Sequence, residues 1–462
     1  MGVPKLWDLI KDTAETRPLM HLAVVDGFEK NINGERGREG ENPELRLVFF
    51  RLAKLLAQPI LPLFVFDGGR RPAWKRNKEI SRKPHWMVQG VKDMILAFGF
   101  EFVSWATRTV KCSGEAEAEL AYLNQIGEID AVLSDDVDNF LFGAKIVIRK
   151  YVTCVPPGEA LNPALNSQGK DDGYHVRIFN ADVLASDPDL RLTRAGFDRL
   201  EGSAVDGCGV DTAHALAKCG FGDSVLDAFA SLTPVRFQAF LDTWREDLRT
   251  ELHTFPNLDV VTAYASPVTS ESTSNGCPAP DRWCREHSLA RLATFCESKF
   301  ERGTKTHIQK RFASLLWGGA LIRIIRRAAL DLDNGVRESG RRLVLFETSQ
   351  PETPKTPGPK GTAVTGDSIV ETPSKLIALT LAGIRGDRED IEHDNLLSST
   401  DASPTMNHKL PRRTAKGLRV WVPASMLELV EPNLVATYKA SQAQKGAKKK
   451  VRKKIWCAQQ IL

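Results

Sequence analysis

Three short, mostly apolar runs that lead into carboxylates limit most strongly how this chain can fold. Leu22-Ala23-Val24-Val25 precedes Asp26, Leu63-Phe64-Val65-Phe66 precedes Asp67, and Ile129-Asp130-Ala131-Val132-Leu133 precedes Asp136 and Asp138. Apolar runs of this length without alternation predict strands buried on both faces, as in a parallel sheet covered by helices. Ligands in open α/β sheets sit beyond the carboxyl ends of the strands, so these acids are expected along one sheet edge. If the backbone stays extended after Leu133, Asp136 and Asp138 point the same way.

A second acidic segment, Gly114-Glu115-Ala116-Glu117-Ala118-Glu119, lies about twenty residues before Asp136. Inside a regular helix Glu115 and Glu117 would diverge by about 200°. They can face one site only if they sit where the chain enters the helix that continues through Leu120, Ala121 and Leu123. Otherwise they are a solvated acidic helix start that complements the helix dipole. Carboxylates brought together repel by roughly 1–4 kcal/mol per pair at 4 Å. Six of them at one sheet edge would suit two hard cations, Mg²⁺ or Mn²⁺. Such a pair supports phosphodiester hydrolysis.

These motifs occur in a recognisable order: Met1-Gly2-Val3-Pro4-Lys5-Leu6-Trp7, Val25-Asp26, Phe66-Asp67-Gly68, Gly114 to Glu119, and Asp136-Val137-Asp138-Asn139-Phe140-Leu141-Phe142-Gly143. The pattern resembles the flap endonuclease/XPG family of structure-selective nucleases. Arg76-Asn77-Lys78, Ala131-Val132-Leu133-Ser134 and Val205-Asp206-Gly207-Cys208-Gly209 resemble its eukaryotic Holliday-junction resolvase branch. The likeness covers roughly residues 1–325 and, more weakly, the C-terminal part.

The resemblance implies an α/β fold whose mostly parallel central sheet is flanked by helices (a split, PIN-like nuclease core). A helix–two-turn–helix and a small C-terminal chromodomain-like module accompany it. It implies that Asp26, Asp67, Glu115, Glu117, Asp136 and Asp138 hold two Mg²⁺ ions, for which Mn²⁺ can substitute. It places Gly2 in a wedge near the DNA, and basic catalytic or guiding residues after Asp67, with Lys75 and Arg76 catalytic and Lys78 on the DNA. It further implies branched DNA as substrate, four-way junctions above all, with 5′-phosphate products. The protein would be a monomer in solution and a homodimer on the junction, making paired nicks.

Seven basic residues, among them Lys75, Arg76, Lys78, Arg82 and Lys83, fall in the fourteen positions 70–83, interleaved with Trp74. A basic run can be merely a solvated face; one that begins beside a proposed ligand favours phosphate contacts. Gly207 and Gly209 lack the third Gly of a dinucleotide fingerprint and follow no strand. They read better as a turn that exposes N–H groups to a DNA phosphate, with a helix over 212–218 behind it. In the family such a turn often binds K⁺.

The chain departs from the family at Glu201-Gly202-Ser203, which runs directly into Ala204-Val205-Asp206. An expected Asp, a further metal-site carboxylate, is missing there. Gly27 to Glu44 is polar and Gly-rich where the family has an apolar helix, and no Pro precedes Gly114. Two rivals to the resolvase reading follow: a 5′-flap endonuclease acting as a monomer, and a catalytically impaired junction-binding protein. A phosphatase or NTPase is disfavoured, because no phosphate-cradling Lys loop is present.

Net charge is +5 and hydrophobic content 42%, enough for a substantial core, with the acids of the site offsetting a basic surface. Eight Cys without a Cys-x-x-Cys pair argue for reduced thiols rather than a zinc module. No apolar run is long enough to span a membrane.

The expected organisation is a nuclease region over 1–105, an internal nuclease region over 106–230, a helical extension over 231–325 and the chromodomain-like module over 326–440. A Pro/Thr/Ser-rich disordered insert is expected over 348–415, and a basic tail over 441–462. Leu289, Leu292, Phe295, Phe300, Ile308, Phe312, Leu315 and Leu316 form a core stripe at near-helical spacing. Order is expected to resume at Leu418 to Pro423. The tail has seven Lys or Arg in the ten positions 445–454, including Lys448, Lys449 and Lys450. It predicts salt-sensitive DNA contact and resembles a nuclear localisation signal, so the nucleus is the expected compartment.

Overall fold

The structure is a computed structural model. It describes residues 6–18, 29–30, 42–68, 70, 74–75, 78–79, 86–103, 114–149, 164–165, 168–169, 175–193, 214–215, 218–219, 221–247, 258–270, 285–300, 303–333, 366–371, 374–386 and 418–440. Gly2, Asp26, Arg76, Arg82, Lys83, Gly207, Gly209, Lys448, Lys449 and Lys450 lie outside them. So does the first expected strand, Leu22 to Val25.

Two units are distinguished: residues 1–52 with 60–288, and residues 53–59 with 289–462. Among the described residues the first contains two larger sheets and one two-stranded ladder. Strands β2 (Glu29–Lys30), β3 (Leu61–Val65) and β6 (Glu101–Val103) pair in parallel, with Leu63 opposite Glu101 and Val65 opposite Val103. In the other sheet β7 (Val132–Leu133) pairs in parallel with β8 (Ile146–Arg149), which pairs antiparallel with β9 (His175–Asn180). Strand β1 (Glu15–Pro18) closes that sheet antiparallel to β9. The parallel expectation therefore holds for β3 and β7, but among the described residues these two strands lie in different sheets rather than along one edge, and β1 and β9 add an antiparallel edge. Among the described residues β1 has a neighbour on one side only, a position where the missing N–H of Pro18 is tolerated. A short ladder pairs β4 (Trp74–Lys75) with β5 (Lys78–Glu79), setting Lys75 opposite Lys78.

The core explains the strand lengths. Leu63, Val65, Val132 and Val147 pack with Leu120, Leu123, Phe140, Leu141, Phe179 and Tyr264 in one apolar cluster. Helix Ala116–Gln125 runs through this cluster and buries Ala118, Leu120, Ala121 and Leu123. Beneath β3 and β6 an aromatic column joins Phe49, Phe98, Phe100 and Phe64, with the rings of Phe98 and Phe100 stacked at 5.7 Å. Helices Phe221–Ser231 and Pro234–Asp247 form a separate small cluster around Val225, Phe237, Leu241 and Trp244. Pro234 occupies the first helical position, where its missing N–H costs nothing.

The second unit is built on helices Leu289–Lys299, Lys305–Leu315 and Trp317–Asp333. Leu289, Leu292, Phe300, Ile308, Phe312 and Leu316 are buried, as a core stripe should be. Strands β10 (Gly366–Glu371) and β11 (Leu418–Pro423) pair antiparallel over their full length. Helix Ser374–Leu381 follows β10. The segment 348–415, expected to be disordered, thus contains a strand and a helix. Ile369 and Val370 continue a strand pattern, and Leu376 gives the helix a buried anchor. A Pro/Thr-rich composition averaged over 68 residues hid this short apolar stretch.

The division at 288/289 also falls inside the expected helical extension 231–325. Trp317, fully buried, donates its indole N–H to Thr380 Oγ1 at 3.2 Å, and Thr380 Oγ1 donates to the Leu376 carbonyl at 2.7 Å. This pairing explains why the Ser374–Leu381 helix belongs with the three long helices.

Candidate metal and nucleic-acid site

The site is assembled from the ends of β3 and β7 and the start of helix Ala116–Gln125. Glu115 lies just before that helix in extended conformation (φ −76°, ψ 142°), and Glu117 is in its first turn. The two glutamates therefore sit at the coil-to-helix junction that a common target for both requires. Asp67, exposed beyond the end of β3, accepts a hydrogen bond at Oδ1 from the Ala116 N–H at 3.0 Å. Gly68 N–H donates to the Gly114 carbonyl at 2.8 Å. An acid 49 positions away is thus fixed to the residue between Glu115 and Glu117.

Asp136 and Asp138 follow β7 and are 6% and 1% exposed. The backbone does not stay extended between them. Val137 is helical (φ −76°, ψ −17°), and Asp138 opens the helix Asp138–Leu141. The physical reason is local capping. Asp136 Oδ1 accepts the Asp138 N–H at 3.1 Å, Ser134 Oγ accepts the Asp136 N–H at 3.0 Å, and Asn139 Nδ2 donates to the Asp136 carbonyl at 2.7 Å. Short polar side chains that bond their own backbone turn a chain in this way.

Buried carboxylates are tolerated only with compensating charge or hydrogen bonds. Two of them at the end of β7 fit a divalent cation by chemistry, since hard cations take carboxylate oxygens. Among the described residues, no three His, Cys, Asp or Glu side chains already converge as a metal-ion set; Asp26 lies outside these residues.

Several residues make site contacts that their local sequence does not announce. Trp7 Nε1 donates to the Asp135 carbonyl at 3.0 Å, and its ring packs on Phe140 and Phe179. The Arg149 guanidinium lies 4.0 Å from the Trp7 ring centroid, and its Nε is 3.2 Å from Asp135 Oδ1. This clamp fixes the residue before Asp136 by a contact spanning 128 positions, which no local pattern announces. Asn124, 4% exposed, donates from Nδ2 to the carbonyls of Ile129 and Asp130 and accepts at Oδ1 from the N–H groups of Lys145 and Ile146. It binds the loops that start β7 and β8. Lys92 Nζ lies 5.1 Å from the Phe66 ring centroid and 5.6 Å from that of Phe102. Burial pushes its ammonium pKa down, directly behind the residue that precedes Asp67.

Of the basic residues expected to meet DNA, Lys75 and Lys78 are placed by backbone alone, across from one another in the β4–β5 ladder. In the segment expected to form a helix–two-turn–helix, Cys219 N–H donates to the Ala215 carbonyl at 3.2 Å, as in a helix. His214 Nε2 lies 2.8 Å from the Leu190 carbonyl.

Known proteins resemble this chain over the same acid-bearing region. The family model for the XPG I-region matches residues 107–197, which contain Glu115, Glu117, Asp136 and Asp138. Residues 107–197 are thus similar to the XPG I-region. Among curated proteins, flap endonuclease GEN homolog 1 of Homo sapiens is 27% identical over 182 residues, 33% of this chain and 19% of that protein. Flap endonuclease GEN-like 1 of Arabidopsis thaliana is 35% identical over 177 residues, 32% of this chain and 29% of that protein. The chain thus spans less than a third of the length of these curated relatives. Among solved structures, the Holliday junction-resolving enzyme GEN1 in complex with product DNA, Mg²⁺ and Mn²⁺ ions matches with a TM-score of 0.61 at 22% identity, over 96% of this chain and all of that one. Human GEN1 in complex with Holliday junction DNA matches with a TM-score of 0.55 at 19% identity, over 97% of this chain. At these identities the likeness shows a shared fold. Among the described residues, no helix is long and apolar enough to cross a membrane.

Proposed function

We propose that this chain is a Mg²⁺-dependent, structure-selective DNA endonuclease that cuts four-way junctions and related branched DNA. The observation that carries this reading is the Asp67–Ala116 hydrogen bond, which ties a strand-end carboxylate to the helix start between Glu115 and Glu117. The curated relatives named as GEN and flap endonucleases support the same reaction class.

Asp67, Glu115, Glu117, Asp136 and Asp138, with Asp26, would hold the cations. When bound, two such ions supply an activated water and a counter-charge for the departing 3′ oxygen. The chain's own residues orient this set. Ala116 N–H holds Asp67, Ser134 and Asn139 hold the turn of Asp136, and the Trp7–Arg149 clamp holds Asp135. Lys75 and Arg76 would carry charge opposite the scissile phosphate. Gly2, Lys78, Arg82, Lys83, the turn at Gly207 and Gly209, and Lys448 to Lys450 would track the backbone. K⁺ at that turn, a β10–β11 chromodomain-like module as an extra DNA contact, pairing of two copies on a junction, and a nuclear location complete the proposal.

The test is nicking of a labelled four-way junction beside a 5′ flap, with Mg²⁺ or Mn²⁺. Paired nicks in the junction that disappear with Asp136→Asn are expected. Cleavage of the flap alone would move the chain to the flap-endonuclease branch. Junction binding without nicking, unchanged by Asp136→Asn, would make it a binding protein, as the missing Asp near 201–206 allows.

A further inference from the structure

We propose that Glu119, the third acid of the Gly114–Glu119 motif, is a positioning residue rather than a ligand, and that it holds the segment 267–270 as a brace behind Glu115 and Glu117. This rests on the metal site proposed above.

Glu119 is fully buried, whereas Asp67 is exposed. Its Oε2 accepts the Ser270 N–H at 2.8 Å, a contact across 151 positions. Ser270 is itself 1% exposed and Thr269 5%. At the other end of the motif, a β-carbon on Gly114 would collide with the Val268 carbonyl oxygen. The same short segment thus touches the motif on both sides of the two candidate ligands, at Gly114 and at Glu119. The segment is itself anchored. It follows helix Leu258–Ala265, whose Tyr264 packs on Phe142 with ring centroids 5.0 Å apart in the central core.

A buried carboxylate is a costly way to fill a core position. It is retained sensibly where its acceptor oxygen fixes a backbone donor that would otherwise be stranded. Here that donor belongs to the segment lying against the entry to the ligand-bearing helix. Outer residues that orient metal ligands change metal affinity by roughly 10- to 100-fold when removed.

The test is Mn²⁺ binding to the full-length protein without DNA, followed by the paramagnetic resonance signal of free Mn²⁺, with metal-free junction binding measured in parallel. Glu119→Ala and Ser270→Pro, which remove the acceptor and the donor respectively, should each weaken Mn²⁺ binding about tenfold while junction binding holds. Glu119→Gln keeps an acceptor oxygen for the Ser270 N–H and should bind Mn²⁺ as wild type does. Gly114→Ala should weaken Mn²⁺ binding in the same direction by displacing Val268. Equal loss in Glu119→Gln and Glu119→Ala would make Glu119 a direct charge on the metal and overturn the positioning role. Wild-type Mn²⁺ affinity in Glu119→Ala and Ser270→Pro would overturn the brace while leaving the metal site intact. A wild-type protein that binds no Mn²⁺ would bring down the proposed function, and the brace with it.

Discussion

Asp135 shows how a single residue joins distant parts of the chain. Its carbonyl takes the Trp7 indole N–H, and its carboxylate meets Arg149, which in turn covers the Trp7 ring. The carboxylate is 68% exposed, so the ion pair itself adds little and is screened by salt. The aromatic burial is the stronger part. Trp7→Ala, at a half-buried ring, should destabilise the protein by about 1–3 kcal/mol, whereas Arg149→Met should cost about 1 kcal/mol or less; urea titration followed by circular dichroism measures both.

Lys92 offers a pH test at the same scale. Its folded pKa lies below the ordinary 10.5 because burial disfavours the ammonium. Between the folded and the unfolded value the unfolded chain binds more protons, so stability rises with pH there. Relative to Lys92→Met, the wild type should therefore gain stability as pH climbs from neutrality toward 10.5. The difference between the two unfolding curves reads this directly; a difference that falls with pH would contradict it.

Helix Ala116–Gln125 organises the site because both of its ends are tied down. Its start holds Asp67 and the Ser270 segment, and its last turns hold the loops that begin β7 and β8 through Asn124 and the Phe142 and Gly143 carbonyls through Gln125. Asn124 makes four hydrogen bonds in a nearly closed environment. Asn124→Ala would strand two donors and two acceptors and should cost about 2–5 kcal/mol, visible as a lowered unfolding midpoint.

The loop that closes helix Met87–Ala97 depends on backbone shape instead. Gly99 has φ +69°, and a β-carbon there would stand 2.5 Å from the His287 nitrogen. Gly99→Ala should therefore destabilise by about 1–3 kcal/mol, with the strain concentrated where β6 begins. The sequence signalled helix Ala116–Gln125 through Leu120, Ala121 and Leu123. It carried no sign of Asn124 as a tether, because the groups Asn124 binds lie on two separate loops.

For the molecule as a whole, charge and metal are separable. Acids follow the strand ends at Asp67, Asp136 and Asp138 while basic residues crowd positions 70–83 and 445–454, so a net charge of +5 understates the local fields. If six to ten phosphates are contacted, junction affinity should fall by about 10³- to 10⁵-fold between 50 and 200 mM salt. Filter binding over that range checks it, and a flat response would contradict phosphate tracking. Chelation with EDTA should abolish nicking and leave junction binding in place, because backbone contacts need no divalent cation.

The sequence by itself determined the strands that lead to Asp67 and to Asp136, the helix entry at Glu115 and Glu117, the core stripe from Leu289 to Leu316 and the likeness to the XPG I-region. Each is written in local periodicity or in motif order, which short-range sterics and burial enforce. Tertiary structure alone decided the turn between Asp136 and Asp138, the antiparallel edge formed by β1 and β9, the strand and helix within 348–415, and the contacts of Trp7, Asn124 and Glu119. These depend on which buried donors and acceptors find one another after the chain closes on itself, and pairings across as many as 151 positions leave no periodic trace along the sequence.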